Sequence, residues 1–121
     1  MNITPIEYQE CVALAQYLDI LQTQKKILRY THIPNETFTK SWNQKMKNKR
    51  QGVHPGIPDY IILFPRLLVF LEMKRIKGSS VSVDQMAWIT DLSSLGFIAT
   101  VCYGFEHARA IIEDILKMDK S

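Results

Sequence analysis

The sequence GIPDYIILFPRLLVFLEMKR at positions 56–75 contains two apolar segments that three charged residues interrupt. They are Asp59, Glu72 and Lys74. Apolar segments of this kind predict strands of a buried sheet, and buried strands seldom carry charge because an unpaired ion loses its hydration. The pattern therefore needs a chemical explanation as well as a structural one.

The charged residues lie where two predicted strands can bring them together. The strands cover Tyr60–Phe64 and Leu67–Met73, with a tight turn at Pro65–Arg66. The glutamate and the lysine are two residues apart, so their side chains leave the same face of the sheet. The aspartate begins the first strand, which the turn places alongside the second. All three groups can therefore converge on one patch at the end of the hairpin.

Two interpretations of this trio remain open on the residues alone. In the first, Glu72 and Lys74 form a buried ion pair and Asp59 caps a turn after Pro58. Such a pair adds little net stability, because desolvation offsets the attraction. In the second, a divalent cation joins the two carboxylates, and the lysine orients a water or stabilises charge developing on a phosphate. The second interpretation predicts metal-assisted hydrolysis of a phosphodiester.

A basic segment between positions 25 and 50 is a second feature with chemical meaning. Its single carboxylate is Glu36. Its eight basic residues are Lys25, Lys26, Arg29, Lys40, Lys45, Lys47, Lys49 and Arg50. The segment is either a solvated loop or an arm that contacts phosphates, since clustered lysine and arginine are typical of nucleic-acid binding. Tyr30, His32 and Trp42 are interleaved with it and either stack on bases or pack.

The first half of the chain supplies elements that must position these residues. The capping signal TPIE and the apolar spacing after it predict a helix over Thr4–Gln22. A strand is predicted in KKILRYTHIP, ending near Pro34. The polar segment Asn35–Pro58 is predicted to be a long functional loop that contains a short helix around Lys40–Lys49.

The second half of the chain predicts a crossover. SVDQ forms a capping box, with Ser82 as N-cap and Gln85 three residues later, and the helix it begins ends at Gly96. FIATVCY predicts a strand that is buried on both faces, and an amphipathic helix follows Gly104. The order α-β-(loop)-β-β-α-β-α requires a helix to cross over to a strand of the same sheet. This order predicts a mixed α/β fold with helices packed on the sheet.

The length and composition exclude several classes of protein. A chain of 121 residues with 46% hydrophobic residues predicts one domain with a core. No run approaches the ~20 apolar residues of a membrane span, and the first ten residues do not resemble a secretion signal. Cys11 and Cys102 lie in apolar stretches, and we expect small buried hydrophobic side chains in a reducing compartment. We therefore expect a cytoplasmic protein.

An ordered set of segments resembles a known family. These segments are IPNE at 33–36, GVHPGIPDYII at 52–62, FLEMKR at 70–75 and VSVDQMAWI at 81–89. They resemble, in this order, segments of the virus-type replication–repair nuclease (VRR-NUC) family, which includes stand-alone phage and bacterial proteins of about this size. PD at 58–59 and EMK at 72–74 resemble the signature of the PD-(D/E)XK nuclease superfamily. The resemblance covers nearly the whole chain and implies a restriction-endonuclease-like mixed sheet flanked by helices.

The resemblance also implies roles for particular residues. Asp59 and Glu72 would bind Mg²⁺ or Mn²⁺, and the backbone carbonyl of Met73 would add a ligand. Lys74 would lie next to the attacking water and orient it. Gln85 matches a glutamine that lies near the active site in the family, although its capping-box position is an alternative explanation.

The carboxylate expected from the first helix has two candidates. In the family this helix carries a Glu or Gln that faces the metal site, and counting back from YL at 17–18 places Glu10 there. Glu7 is the competitor, since it lies nearer the middle of the apolar face, but the capping box already explains it. Glu10 is the favoured catalytic residue and metal ligand.

The resemblance implies a divalent-metal-dependent endonuclease that cuts branched DNA, as Holliday-junction resolvases do. A homodimer would place two active sites on opposing strands. The predicted DNA contacts are Lys45, Lys47, Lys49, Arg50, Asn35 and Arg75. Contacts of this kind to the backbone carry little sequence information, so we expect structure-selective cutting. The alternatives are a nuclease on flaps, nicks or linear DNA in phage replication or repair, and a non-enzymatic DNA-binding protein.

Overall fold

The computed structural model describes residues 5–34 and 41–120, which form four helices and one four-stranded sheet. In chain order the elements are α1 (Pro5–Thr23), β1 (Arg29–His32), α2 (Trp42–Arg50), β2 (Tyr60–Leu63), β3 (Leu68–Lys74), α3 (Val83–Ser94), β4 (Ile98–Tyr103) and α4 (Phe105–Asp119). The strand order is β1-β2-β3-β4. The mixed α/β fold and the order of its elements are as predicted.

The sheet combines an antiparallel meander with one parallel strand. β1 pairs with β2 and β2 with β3 in antiparallel fashion, whereas β4 runs parallel to β3. A parallel neighbour needs a crossover connection, and α3 supplies it. This topology brings the start of β2 and the ends of β3 and β4 to the same end of the sheet.

The main core lies between one face of the sheet and the helices α1 and α4. Alternate strand residues point into it, as the period of a strand requires. The helices contribute residues at spacings of three and four. The core contains Leu14, Leu18, Leu21, Ile27, Tyr60, Ile62, Phe64, Val69, Leu71, Cys102, Ala108, Ile112 and Ile115. Within the described ranges, no helix is long and apolar enough to cross a bilayer.

Several predicted details need correction. Strand β4 was expected to be buried on both faces, but of its six residues only Cys102 is buried. The reason is that β4 lies at the edge of the sheet and α3, which packs on it, has no buried residue of its own. Cys11 is half-buried, because it lies at the rim of the core near the open end of the sheet. The predicted N-cap Thr4 lies outside the described residues.

The long segment between β1 and β2 is closed at its base. The N–H of Ile33 donates to the carbonyl of Asp59 at 2.7 Å, so the two ends of the segment are joined. Within the segment, α2 begins two residues later than the predicted short helix, with Ser41 as its N-cap. The indole N–H of Trp88 in α3 donates to the carbonyl of Pro55 at 3.1 Å, which holds the returning chain against the fold.

Gly56 is required where this returning chain meets α3. Its φ is +104°, and a Cβ at this position would lie 2.6 Å from the backbone carbon of Asp84. Gly52 also has a positive φ, of +81°, but a Cβ there would meet open space. Substitutions at the two positions can therefore be compared. Both introduce backbone strain, but only the one at Gly56 also introduces a steric overlap.

We expect Gly56→Ala to lower the free energy of unfolding by about 3 kcal/mol or more, because strain and overlap act together. We expect Gly52→Ala to cost only the ~1–2 kcal/mol of a left-handed backbone with a side chain. Urea denaturation of both variants measures the difference. Equal losses in the two variants would contradict the close packing of Gly56 on α3.

Candidate active site

A cleft of about 540 Å³ opens at the end of the sheet where β2 begins and β3 ends. Its walls come from α1, the segment before β2, the end of β3, the loop that follows, and the start of α3. The register pairs Tyr60 with Leu71, so the next pair along the strands is Asp59 and Glu72. The predicted convergence of Asp59, Glu72 and Lys74 is therefore present, since all three line this cleft.

Glu72 is the most deeply placed charged residue of the cleft, with 6% of its surface exposed. One of its oxygens, Oε2, accepts a hydrogen bond from Gln85 Nε2 at 3.0 Å. Lys74 Nζ lies 3.8 Å from the same oxygen. The carboxylate is therefore held from two sides, by an amide on α3 and by an ammonium on its own strand.

Asp59 is oriented by the strand opposite it. Its Oδ1 accepts a hydrogen bond from the backbone N–H of Met73 at 2.9 Å. Its Oδ2 lies 4.0 Å from His32 Nε2, and the ring of His32 stacks on that of Tyr60 with centroids 4.4 Å apart. About a fifth of the Asp59 side chain is exposed, at 19%, so it faces the cleft.

Burial sets the protonation of this pair of carboxyl groups. It raises the pKa of Glu72 well above its ordinary value, and the nearby charge of Asp59 raises that pKa further. Burial also raises the pKa of Asp59, against the opposing effects of the Met73 N–H and the Lys74 charge. The positive charge of Lys74 balances only one of the two negative charges that Asp59 and Glu72 carry when both are ionised. The ionised pair therefore favours binding of an additional cation.

The donor set suits a hard divalent cation. Mg²⁺ commonly takes one or two carboxylates and keeps several waters, so Asp59, Glu72 and the carbonyl of Met73 are sufficient protein donors. In residues 5–34 and 41–120 no three His, Cys, Asp or Glu side chains form a group that could hold a metal ion by themselves. A metal here would therefore rely on two carboxylates, a carbonyl and water.

The two candidate carboxylates of α1 both reach the cleft, in different states. Glu10 is half-buried, and its Oε2 accepts a hydrogen bond from the backbone N–H of Phe105 at the start of α4. Glu7 Oε1 forms an ion pair with Arg75 Nε at 2.6 Å. Glu10 remains the predicted ligand of α1, and the ion pair gives Glu7 a structural role.

Gln85 forms the predicted capping box and also contacts Glu72 in the cleft. Its Oε1 accepts from the backbone N–H of Ser82 at 3.0 Å, and its own N–H donates to Ser82 Oγ at 3.1 Å, which completes the predicted capping box. Its Nε2 is then directed at Glu72. The cap of α3 and the orientation of the carboxylate therefore depend on one side chain.

Among the predicted DNA-contacting residues that the structure describes, Arg75 lines the cleft and the four basic residues of α2 do not. The four basic residues of α2 are exposed on that helix. Arg75 lines the cleft, pairs with Glu7 and donates through Nη2 to the carbonyl of Gly78 at 2.8 Å. It therefore stiffens the loop after β3. Asn35 lies outside the described residues.

Residue-by-residue reasoning missed His32 and the loop at 78–82 as parts of the cleft. His32 lies on β1, and its approach to Asp59 depends on the pairing of β1 with β2. Turn residues such as Gly78 and Ser79 showed only that the chain bends. The signal that could have found His32 is the pairing of the two ends of the long segment, which periodicity does not report.

Comparisons with known proteins identify the class. Residues 6–106 match the family model of the VRR-NUC domain, so the chain belongs to the VRR-NUC family. A solved structure of a VRR_NUC domain protein is 21% identical, with a TM-score of 0.57, and the alignment covers 86% of this chain and 88% of that one. At this identity the likeness shows the fold alone. No curated protein matches the chain. Family membership implies a nuclease-type function.

We expect Glu72→Gln to stabilise the metal-free protein at pH 8. The raised pKa means that folded Glu72 keeps a proton that the unfolded chain has lost, so stability falls as the pH rises above the ordinary carboxyl range. Glutamine can still accept the bonds from Gln85 and Lys74 but has no charge to bury. The gain should be ~1–3 kcal/mol at pH 8 and should vanish near pH 4.

Urea denaturation in EDTA between pH 4 and pH 8 measures this gain. Glu106→Gln is the matched control, because the Glu106 side chain is 81% exposed and has little hydration to lose. A Glu72→Gln protein that is less stable than the wild type at pH 8 would contradict the argument from burial.

Proposed function

We propose that this chain forms one nuclease domain that hydrolyses DNA phosphodiesters with a divalent metal and selects its substrate by structure, as Holliday-junction resolvases do. The observation that carries the proposal is the buried carboxyl group of Glu72 with the half-buried Asp59 next to it, beside Lys74 in an open cleft. A stable fold does not need two such groups on adjacent strands, whereas a cation site does.

Each residue of the cleft then has a task. Asp59, Glu72 and the Met73 carbonyl would hold Mg²⁺ or Mn²⁺ together with water. Glu10, the predicted further ligand, would have to turn from the Phe105 N–H to join them. When bound, the cation would lower the pKa of a water and offset charge on the phosphate. Lys74 stands beside Glu72 at 3.8 Å, within reach of a water at the same carboxylate, and can stabilise charge on the phosphate.

Gln85 acts through Glu72. Its amide holds one carboxylate oxygen at 3.0 Å, and the capping box prevents the amide from turning away. We therefore assign Gln85 as a positioning residue. This arrangement limits the motion of a group that must keep its place while a phosphate enters and leaves.

The basic helix α2 supports DNA as the substrate. Lys45, Lys47, Lys49 and Arg50 are exposed on a helix that contains no carboxylate. Cations of this kind bind the phosphate backbone and position the DNA without reading its bases. Recognition of DNA shape, with a second copy of the chain on the opposing strand, is the mode of selection that we propose.

We expect Asp59→Asn and Lys74→Ala each to lower Mg²⁺-dependent cleavage by about 100-fold or more, because each removes charge from the reacting centre. Cleavage of labelled DNA with Mg²⁺ and with EDTA measures the effect. Asp114→Asn and Lys77→Ala are matched controls, since both residues are exposed and neither lines the cleft. Full cleavage by the Asp59→Asn protein would overturn this active site.

We expect the wild type to cut a four-way junction at least ~10-fold faster than linear duplex of the same sequence, because α2 reads shape and phosphates. The panel includes flapped and nicked duplexes, and sedimentation of the protein with and without the junction reports the number of copies bound. If flaps or linear DNA are cut faster than the four-way junction, they and not the junction are the preferred substrate. If the protein cuts none of these DNAs, the proposal that it is an active nuclease is wrong.

A further inference from the structure

An indole lies in solvent at the first residue of α2. Trp42 is 71% exposed, although tryptophan is among the residues that bury most of their surface in ordinary domains. Its residue type alone allowed either packing or stacking on a base. This exposure rules out packing against the described residues as the explanation and leaves a large aromatic surface to be accounted for.

The surroundings of Trp42 define what could cover it. The helix WNQKMKNKR carries four cations and no carboxylate, and none of its residues is buried. Trp42, Lys45 and Lys49 are three and four residues apart in turn, so they share one face of the helix. A partner for this face must combine negative charge with a flat apolar surface, and a nucleic acid with accessible bases has both.

The position of α2 connects this face with the catalytic cleft. The segment that carries the helix is closed at its base by the bond from Ile33 to Asp59, a cleft residue. On its return the chain passes through Pro55 and Gly56, which also line the cleft. The chain that leaves α2 therefore leads directly to a wall of the cleft.

We propose that Trp42 stacks on an unpaired base of the DNA while Lys45 and Lys49 contact the flanking phosphates. This inference deepens the proposed function and rests on it, because it names the substrate class as DNA with unpaired bases at a branch or an end. In an intact duplex each base is covered by its neighbours, and exposing one costs a few kcal/mol. The indole therefore favours DNA that already contains an exposed, unpaired base.

The test measures binding rather than cleavage. The Asp59→Asn protein is titrated in EDTA against a single strand of about 20 nucleotides, which exceeds the ~4–16 nucleotides that a binding module of this kind covers. A duplex of the same sequence and a fork with two unpaired arms complete the set. Three further variants, Trp42→Leu, Trp42→Phe and Lys45→Ala, are made in this background.

We expect Trp42→Leu to weaken binding to the single strand and the fork by roughly 5- to 100-fold, the value of one base stacked on an aromatic ring, and to leave the duplex within about 3-fold. Trp42→Phe should keep most of the affinity, because it keeps an aromatic face. Lys45→Ala should weaken binding to all three DNAs alike and reduce the salt dependence of binding, because it removes a phosphate contact.

Fluorescence gives a second readout. Stacking on a base should quench the emission of Trp42 when the single strand is added, and this quench should be absent from Trp42→Phe, in which Trp88 is the remaining tryptophan. A thermal melt confirms that each variant is folded. The exposed position of Trp42 makes a loss of folding in these variants unexpected.

The outcomes separate the two proposals. Equal losses on duplex and single strand in Trp42→Leu, or no loss on either, would overturn stacking by Trp42. If the wild-type protein cuts branched DNA under those circumstances, the proposed function stands without it. If Trp42→Leu shows the selective loss but the wild type cuts no DNA with Mg²⁺ or Mn²⁺, the binding inference stands and the proposed function falls.

Discussion

The desolvation of two carboxyl groups is the constraint on which the rest of the structure depends. Asp59 and Glu72 face each other across adjacent strands, and burial opposes the ionisation of both. The surrounding fold compensates with directed donors, namely the Met73 N–H, the Gln85 amide and the Lys74 ammonium. When both carboxyl groups are ionised, one negative charge remains uncompensated, and the proposed cation site would explain why that charge is retained in a sheet.

The donors come from elements that serve the fold at the same time. Gln85 completes the cap of α3 with one end of its amide and holds Glu72 with the other. Gly56 permits the returning chain to pass close to α3, and Trp88 fixes that chain through Pro55. The walls of the cleft are therefore held by the same bonds that dock α3, so a change in its packing is expected to reach the site.

Charge is divided between two parts of the molecule. The cleft holds the carboxylates, whereas α2 carries four cations and no carboxylate. The polar segment that connects them is closed at its base by the bond between Ile33 and Asp59. The basic groups of α2 and the acidic groups of the cleft therefore lie on different elements that one stretch of chain connects.

Local patterns in the sequence determined the elements and most of the site. Periodicity and caps predicted the order of helices and strands, and the two-residue spacing of Glu72 and Lys74 placed them on one face. Tertiary structure alone decided that β4 is an edge strand with one buried residue, that His32 approaches Asp59, and that Glu7 pairs with Arg75. The physical reason is the distance along the chain over which each feature is determined. Helix caps and the alternation of apolar residues in strands depend on residues close in sequence. Burial and pKa depend on distant segments that meet only when the sheet is assembled.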